Sequence, residues 1–321
     1  MRRAFLCGLD PYTGKDYNHR RDWMVDVQRQ FAGLFGVEIC FHAELSNHLH
    51  LILRARPDVV DHWNDREIAR RFHLVNHLVR SKDGSLPEEP SKNEIAVLIA
   101  DPEHIVWMRR QLASISRYMG ALGEHIARRA NREDKTSGAF WESRFKCRNL
   151  ESEREILVCG IYVDLNQIRS GEVLTPEDST YTSVGDRIRA RRQRLREHLD
   201  AQAVADGWLC ELTINERQLT DFKENVEGRA SNKGLLPLTL DDYLTLLDWS
   251  GRQVQAGKSG AIPSKFPPIL ERLGMSSHIW TELATKIERW FIPIAKPAGC
   301  QAAGVPCNSQ PGKARYHEAR G

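Results

Sequence analysis

The sequence predicts an α+β fold, and three features of its patterning carry that expectation. Apolar residues first recur at helical spacing, switch at Gly36 to alternation over two consecutive runs, and later return to helical stripes.

In chain order, Trp23, Met24, Val27, Phe31 and Leu34 line one face of a helix over 18–36. Asn18 is expected to cap its start, and Gly36 to close its end in a left-handed conformation. Val37, Ile39, Phe41, Ala43 and Leu45 then alternate with Glu38, Cys40, His42, Glu44 and Ser46, the pattern of a half-buried strand. Ser46 and Asn47 suit a turn into a second strand over 48–54. There Leu49, Leu51 and Leu53 share one face, and His48, His50 and Ile52 the other.

Helices follow over 58–79, then a polar surface loop with one glycine and two prolines over 81–92. Further helices carry the apolar stripe Leu112, Ile115, Met119, Leu122 and Ile126, and a short strand is expected over 145–150. Ser152, with Glu155 three positions on, opens a helix whose apolar face is Ile156, Leu157, Ile161 and Leu165, and Gly171 lies beyond its end. After a polar loop, residues 186–200 form an arginine-dense helix, and amphipathic helices are expected near 240–254 and 277–291. The Pro-, Gly- and Ala-rich end has the composition of a disordered tail. These boundaries divide the chain into a first unit over 1–185, a mainly helical extension over 186–293 and a tail over 294–321.

Composition narrows the function classes. The 321 residues are 41% hydrophobic and 28% charged, as in an ordinary globular protein, and a net charge of +3 selects no partner, so any nucleic-acid reading rests on local clusters. Seven cysteines without a CxxC pair argue against a disulfide framework and against a cysteine zinc site. The apolar run over 95–100 is far too short to span a bilayer, and MRRAFLCGLD lacks the apolar core of a signal peptide. A reducing cytoplasm and no membrane partner are the expectation.

Three constellations can carry chemistry. Histidines two apart on a strand point the same way, with Cα atoms about 6.5–7 Å apart, so His48 and His50 can reach one divalent cation from one side. Two hydrogen-bonded histidines would give the same pattern. Tyr162 and Asn166 share a helix face at i and i+4, where a phenol can attack phosphorus and an amide oxygen can ligate a cation; a core-edge aromatic and a helix terminator would read alike. Arg187, Arg189, Arg191, Arg192, Arg194 and Arg196 surround a helix in a way that suits phosphate backbone. Phe140, Trp141 and Phe145 interleave with Arg144, Lys146 and Arg148, as base-stacking platforms do, although Trp141 and Phe145 also fit a core.

In order and form, three segments resemble the single-tyrosine HUH transposases, and within them the REP-associated tyrosine transposases related to the insertion sequence 200-like group. They are Asn47, His48, Leu49 and His50 in ELSNHLHLIL; Gly138, Trp141, Arg144 and Phe145 in GAFWESRFKCRNL; and Tyr162, Asn166, Arg169 and Gly171 in the run ending YVDLNQIRSG. The resemblance covers roughly 1–185; the rest is similar to extensions of the longer members.

It implies a ferredoxin-like antiparallel sheet with packed helices, of HUH nuclease type, followed by a mainly helical C-terminal extension. It implies that His48 and His50 bind Mg²⁺ or Mn²⁺ with Asn166 as third ligand, and that Tyr162 attacks a scissile phosphate to give a 5′-phosphotyrosine. The implied partner is single-stranded DNA, often folded into hairpins, and a homodimer is allowed. Two departures stand out. Gln167 replaces the family's proline, which lengthens the helix by a turn at most. A strand that members carry before the Arg-Arg-Ala-Phe-Leu-Cys segment has no counterpart ahead of it here, so an unpaired edge is expected beside the histidines. That edge and the arginine helix motivate an alternative: an inactive or domesticated transposase that binds DNA hairpins without cutting. A metal hydrolase unrelated to DNA would need more carboxylates, and Glu44 is its one candidate, unless that residue orients a histidine.

Overall fold

The change of period at Gly36 marks the junction between helix α1 (His19–Leu34) and strand β1 (Val37–Glu44), which turns tightly into β2 (His48–Ala55). The computed structural model showing this describes residues 6–11, 13–85, 87–196, 207–214, 228–254, 257–273 and 314–320. Helices α2 (Pro57–Asp61), α3 (Asp65–Arg80), α4 (Lys92–Ile99), α5 (Pro102–Leu112) and α6 (Ile115–Glu133) lead to a short strand β3 (Lys146–Asn149). Then come α7 (Glu153–Asp164), a single turn α8 (Asn166–Arg169), α9 (Ser183–Arg196), α10 (Leu240–Arg252), α11 (Ile269–Arg272) and a last strand β4 (Ala314–Arg320). The helix expected near 277–291 lies outside the described residues. No helix among them is long and apolar enough to cross a membrane, and their five cysteines are all free thiols.

The mixed α+β architecture is built on one antiparallel sheet in the order β1-β2-β4-β3. Residues 314–320, expected within a disordered tail, instead form its third strand, pairing with β2 from Arg54↔Ala314 to His48↔Arg320. The edge beside the histidines is therefore not open. On the other side β1 is covered too: Glu44 N–H donates to Tyr181 O (3.1 Å) and Cys210 N–H to Ile39 O (2.9 Å).

Both faces of β1 and β2 are buried, by two separate apolar clusters, whereas β3 is exposed. Leu49, Leu51 and Leu53 pack with Met24, Phe31, Leu78, Tyr118 and Leu122 under α1, α3 and α6. Ile52 packs with Phe41, Leu157, Ile161, Val163, Ile188 and Tyr243 under α7, α9 and α10. The alternation in β2 thus separates its leucines from its histidines as expected.

In β1 it does not hold. The pairs Ile39↔Leu53 and Phe41↔Ile52 leave Cys40 as an extra residue, a bulge. Because side chains alternate, one extra residue exchanges the faces beyond it. Val37 and Ile39 join the α1 cluster, whereas Phe41 and Ala43 join the α7 cluster, and the strand is buried throughout rather than half-buried. His42 and Glu44 are carried to the α1 side, where Gln28 Nε2 donates to Glu44 Oε1 (2.7 Å).

Two expected helix ends are also corrected. Asn18 makes no side-chain cap, and its own N–H donates to Asp16. Gly36 is not left-handed; a Cβ there would meet Val60 Cγ2 at 2.1 Å, so the position needs the missing side chain for a close approach. Gly171, by contrast, closes α8 at φ +78°.

Candidate active site

The turn at Asn47 and the start of β2 set the first part of the site. Asn47 Oδ1 stands 2.5 Å from His48 Nδ1, which places the proton on Nδ1 and leaves the Nε2 lone pair outward. His48 Nε2 faces His50 Nε2 at 2.9 Å, with the rings edge to face. Two ligand atoms on adjacent corners of an octahedron with bonds of about 2.1 Å lie roughly 3.0 Å apart. The same separation serves a hydrogen bond between the two rings, as here, and would suit one small divalent cation between them. Among the described residues no group of three His, Cys, Asp or Glu side chains converges, so the imidazoles alone are a partial ligand set.

Helix α7 brings Tyr162 to the same place. Ser152 Oγ accepts from Glu155 N–H (3.2 Å), but the reciprocal half of the box shifts by one residue, Glu155 Oε2 accepting from Glu151 N–H (2.7 Å). Leu157, Gly160, Ile161, Val163 and Asp164 face inward, leaving Tyr162 on the rim, 43% exposed. Its ring lies 5.7 Å from that of His50, at an interplanar angle of 76°. A half-exposed phenol thus stands beside two convergent imidazoles.

Sequence reasoning missed what holds α7 there. Asp164, two residues after the tyrosine, is fully buried and accepts from Ser183 Oγ, from Val184 N–H (2.9 Å) and from Tyr243 Oη. Burial pushes its carboxyl above the usual range, against the opposing pull of Arg187 and these hydrogen bonds. One carboxylate thus ties α7 to the start of α9 and to α10. Its place on the inward face of the helix was the available signal.

Asn166 is 6% exposed, one turn beyond Tyr162, and its Nδ2 donates to Tyr162 O (3.0 Å) across the break between α7 and α8. Gln167 is buried and accepts from Ser179 Oγ (2.7 Å), while Arg169 reaches Ser250 O of α10 and Gln253 O just beyond its end. Glu44 is apart from the site, since the bulge puts it on the Leu49 face. There it takes His42 Nδ1 at 3.0 Å, and His42 Nε2 meets Asp186 at 3.1 Å. Glu44 can neither ligate beside His48 and His50 nor orient them.

The arginine helix does not present all of its arginines to solvent. Arg187 is 1% exposed, donates to Cys40 O (2.9 Å) and Cys210 O (3.0 Å), and lies 5.0 Å over the ring of Phe41. Arg191 is paired with Asp241 of α10, and Arg189 with Asp186 and Thr180 O. The acidic partners come from elsewhere in the fold, which the run itself could not reveal. Arg192 and Arg196 are exposed and Arg194 is half-buried. Arg144 is exposed on the rim of a cleft of about 530 Å³ lined by Leu49, Met119, Phe140, Trp141 and Phe145, on the face away from the histidines. Trp141 Nε1 donates to Gly123 O (2.8 Å), which fixes that ring against α6. Nearer the candidate site, exposed Lys146 and Arg148 on β3 supply positive charge, with Arg148 3.7 Å from Glu155 of α7.

Comparison with protein-family models, with curated proteins and with solved structures found no match for this chain.

Proposed function

We propose that the chain cuts and rejoins single-stranded DNA, with Tyr162 as nucleophile and His48 and His50 as ligands of Mg²⁺ or Mn²⁺, as a transposase of the single-tyrosine HUH type. The observation that carries this reading is the contact of the Tyr162 ring with His50, at 5.7 Å, where His50 Nε2 also converges on His48 Nε2. The sheet order supports it as well. In a ferredoxin-like β-α-β-β-α-β sheet the first strand lies between the third and the fourth. Here β4 holds that place between β2 and β3, although it comes last in sequence.

The bound cation would polarise the scissile phosphate and stabilise charge on its oxygens. Tyr162 Oη forms the new bond to phosphorus as the bond to the 3′-oxygen breaks. The phenol gives up its proton, and the departing 3′-oxygen gains one to become a hydroxyl. Keeping the phosphate in an ester with tyrosine conserves the bond energy, so a 3′-hydroxyl can reverse the step on the same or another end. Exposure of Tyr162 at the rim leaves room for a strand, and Lys146 and Arg148 offer charge for its backbone.

The alternative of a hairpin-binding protein without cleavage drew on an open edge and an arginine rod. That edge is paired with β4, and Arg187 and Arg191 are engaged within the fold, so neither observation favours it. Incubating the protein with Mg²⁺ and single-stranded hairpin DNA tests the reading. A covalent protein–DNA adduct should form and disappear in Tyr162→Phe; an undiminished adduct in that variant overturns the assignment.

A further inference from the structure

We propose that helix α5 is a contact surface for a second copy of this chain, packed antiparallel across a twofold axis. The inference is independent of the reading of His48, His50 and Tyr162. The inward face of α5 is Ile105, Met108 and Leu112, all buried. Arg109 is taken up by Val60 O, Trp63 O and Asp65. Outward stand Glu103, Val106, Trp107 and Arg110, all exposed, at the i, i+3, i+4, i+7 spacing of a single helical stripe. Val106 is 49% and Trp107 47% exposed, so two large apolar side chains meet solvent at the centre of the stripe. Trp107 is already held against Phe72 (ring centroids 5.3 Å) and His104 (5.5 Å), which lowers the entropy lost when it is covered.

The charges at the two ends of the stripe say what covers it. Glu103 stands at one end and Arg110 at the other, about 10.5 Å apart along the axis. Let the helix meet a copy of itself antiparallel, with the twofold axis between Val106 and Trp107. Glu103 of each copy then faces Arg110 of the other, and Val106 of each faces Trp107 of the other. Helix axes about 8–10 Å apart bring such side chains into contact. Run parallel, the same helices would set Glu103 on Glu103 and Arg110 on Arg110, which like-charge repulsion disfavours. The stripe is self-complementary in one orientation only. A different protein would have to present the same order of charges, whereas a second copy does so by symmetry. Two helical turns cover less than a standard interface, so a reversible, concentration-dependent dimer is expected.

Sedimentation of the full chain at concentrations from about 1 to about 100 μM tests this. Wild type should pass from monomer to dimer across that range. Glu103→Arg and Arg110→Glu should each raise the midpoint by at least about tenfold, because each variant alone sets like charges together at both ends of the stripe. Mixed in equal amounts, the two variants should dimerise again within about threefold of wild type, since every arginine then faces a glutamate. A wild type that stays monomeric throughout overturns the proposal. So does a dimer that either variant leaves unchanged, because the contact then lies elsewhere. A mixture that stays monomeric, with both variants melting like wild type, overturns it as well. Should a charge reversal unfold the chain, Val106→Asn takes its place. A monomer where wild type is dimeric then supports the contact, and an unchanged dimer overturns it.

Discussion

A Cβ added at Gly160 would stand 2.7 Å from Phe41 Cζ, so α7 rests directly on the ring that β1 presents to it. Phe41 faces α7 only because the bulge at Cys40 turned it over. The approach of Tyr162 to His50 thus depends on an irregularity one strand away.

Gly160→Ala is therefore expected to lift α7 from the sheet. Alanine gains about 1 kcal/mol of helix propensity, but overpacking typically loses 1–3 kcal/mol, so a net destabilisation of about 1 kcal/mol should appear in urea unfolding. Adduct formation should slow more than stability alone explains. A variant of unchanged stability and full adduct yield would show that the contact does not position Tyr162.

Arginines in one run should behave oppositely. Arg187→Ala removes a buried guanidinium that serves two carbonyls and offsets the charge of Asp164, so a loss of about 2–4 kcal/mol in stability is expected. Arg192→Ala, at an exposed position, should stay within about 0.5 kcal/mol. Equal melting temperatures for the two variants would contradict the burial of Arg187.

The buried His42 makes stability depend on pH. Burial alone would lower its pKa, but the charge of Glu44 and hydrogen bonds to Asp186 and Glu44 raise it to about 10. Asp186 is held below the usual carboxylate range: its own burial acts the other way, and His42 and Arg189 outweigh it. A folded-state pKa above the unfolded value near 6.5 means that the contribution is full below that value and is lost as pH rises through about 10. The urea midpoint should therefore fall between pH 7 and pH 10, and His42→Gln should flatten that fall. A wild-type profile as flat as the variant's would show that His42 is not charged in the fold.

Deleting 314–321 should expose the inner edges of β2 and β3 together, since β4 pairs with both. Amide hydrogen exchange should lose protection across 48–55 and 146–149, and the freed edges should favour self-association. Unchanged protection at Leu49, Leu51 and Leu53 would remove β4 from the sheet.

How much of this was legible depends on distance along the chain. Alternation in β2 separated His48 and His50 from Leu49, and helical spacing put Tyr162 on a face of a helix capped by Ser152, because both are properties of consecutive residues. The position of the bulge was not legible, since Val37 to Leu45 alternates without a break in the sequence while the backbone inserts Cys40 between pairs. Nor was the fate of the arginines, whose partners Asp241, Cys40 O and Cys210 O lie far away in sequence.

The sequence by itself determined the α+β pattern, the direction of the two imidazoles and the helix that bears the phenol, because local periodicity follows from backbone geometry. Tertiary structure alone decided that the phenol meets His50, that Glu44 turns away from it, and that the strand beside the histidines comes from 314–320. Which elements meet is set by the burial of both faces of β1 and β2 and by the pairing of strand edges, and no short window of residues encodes either.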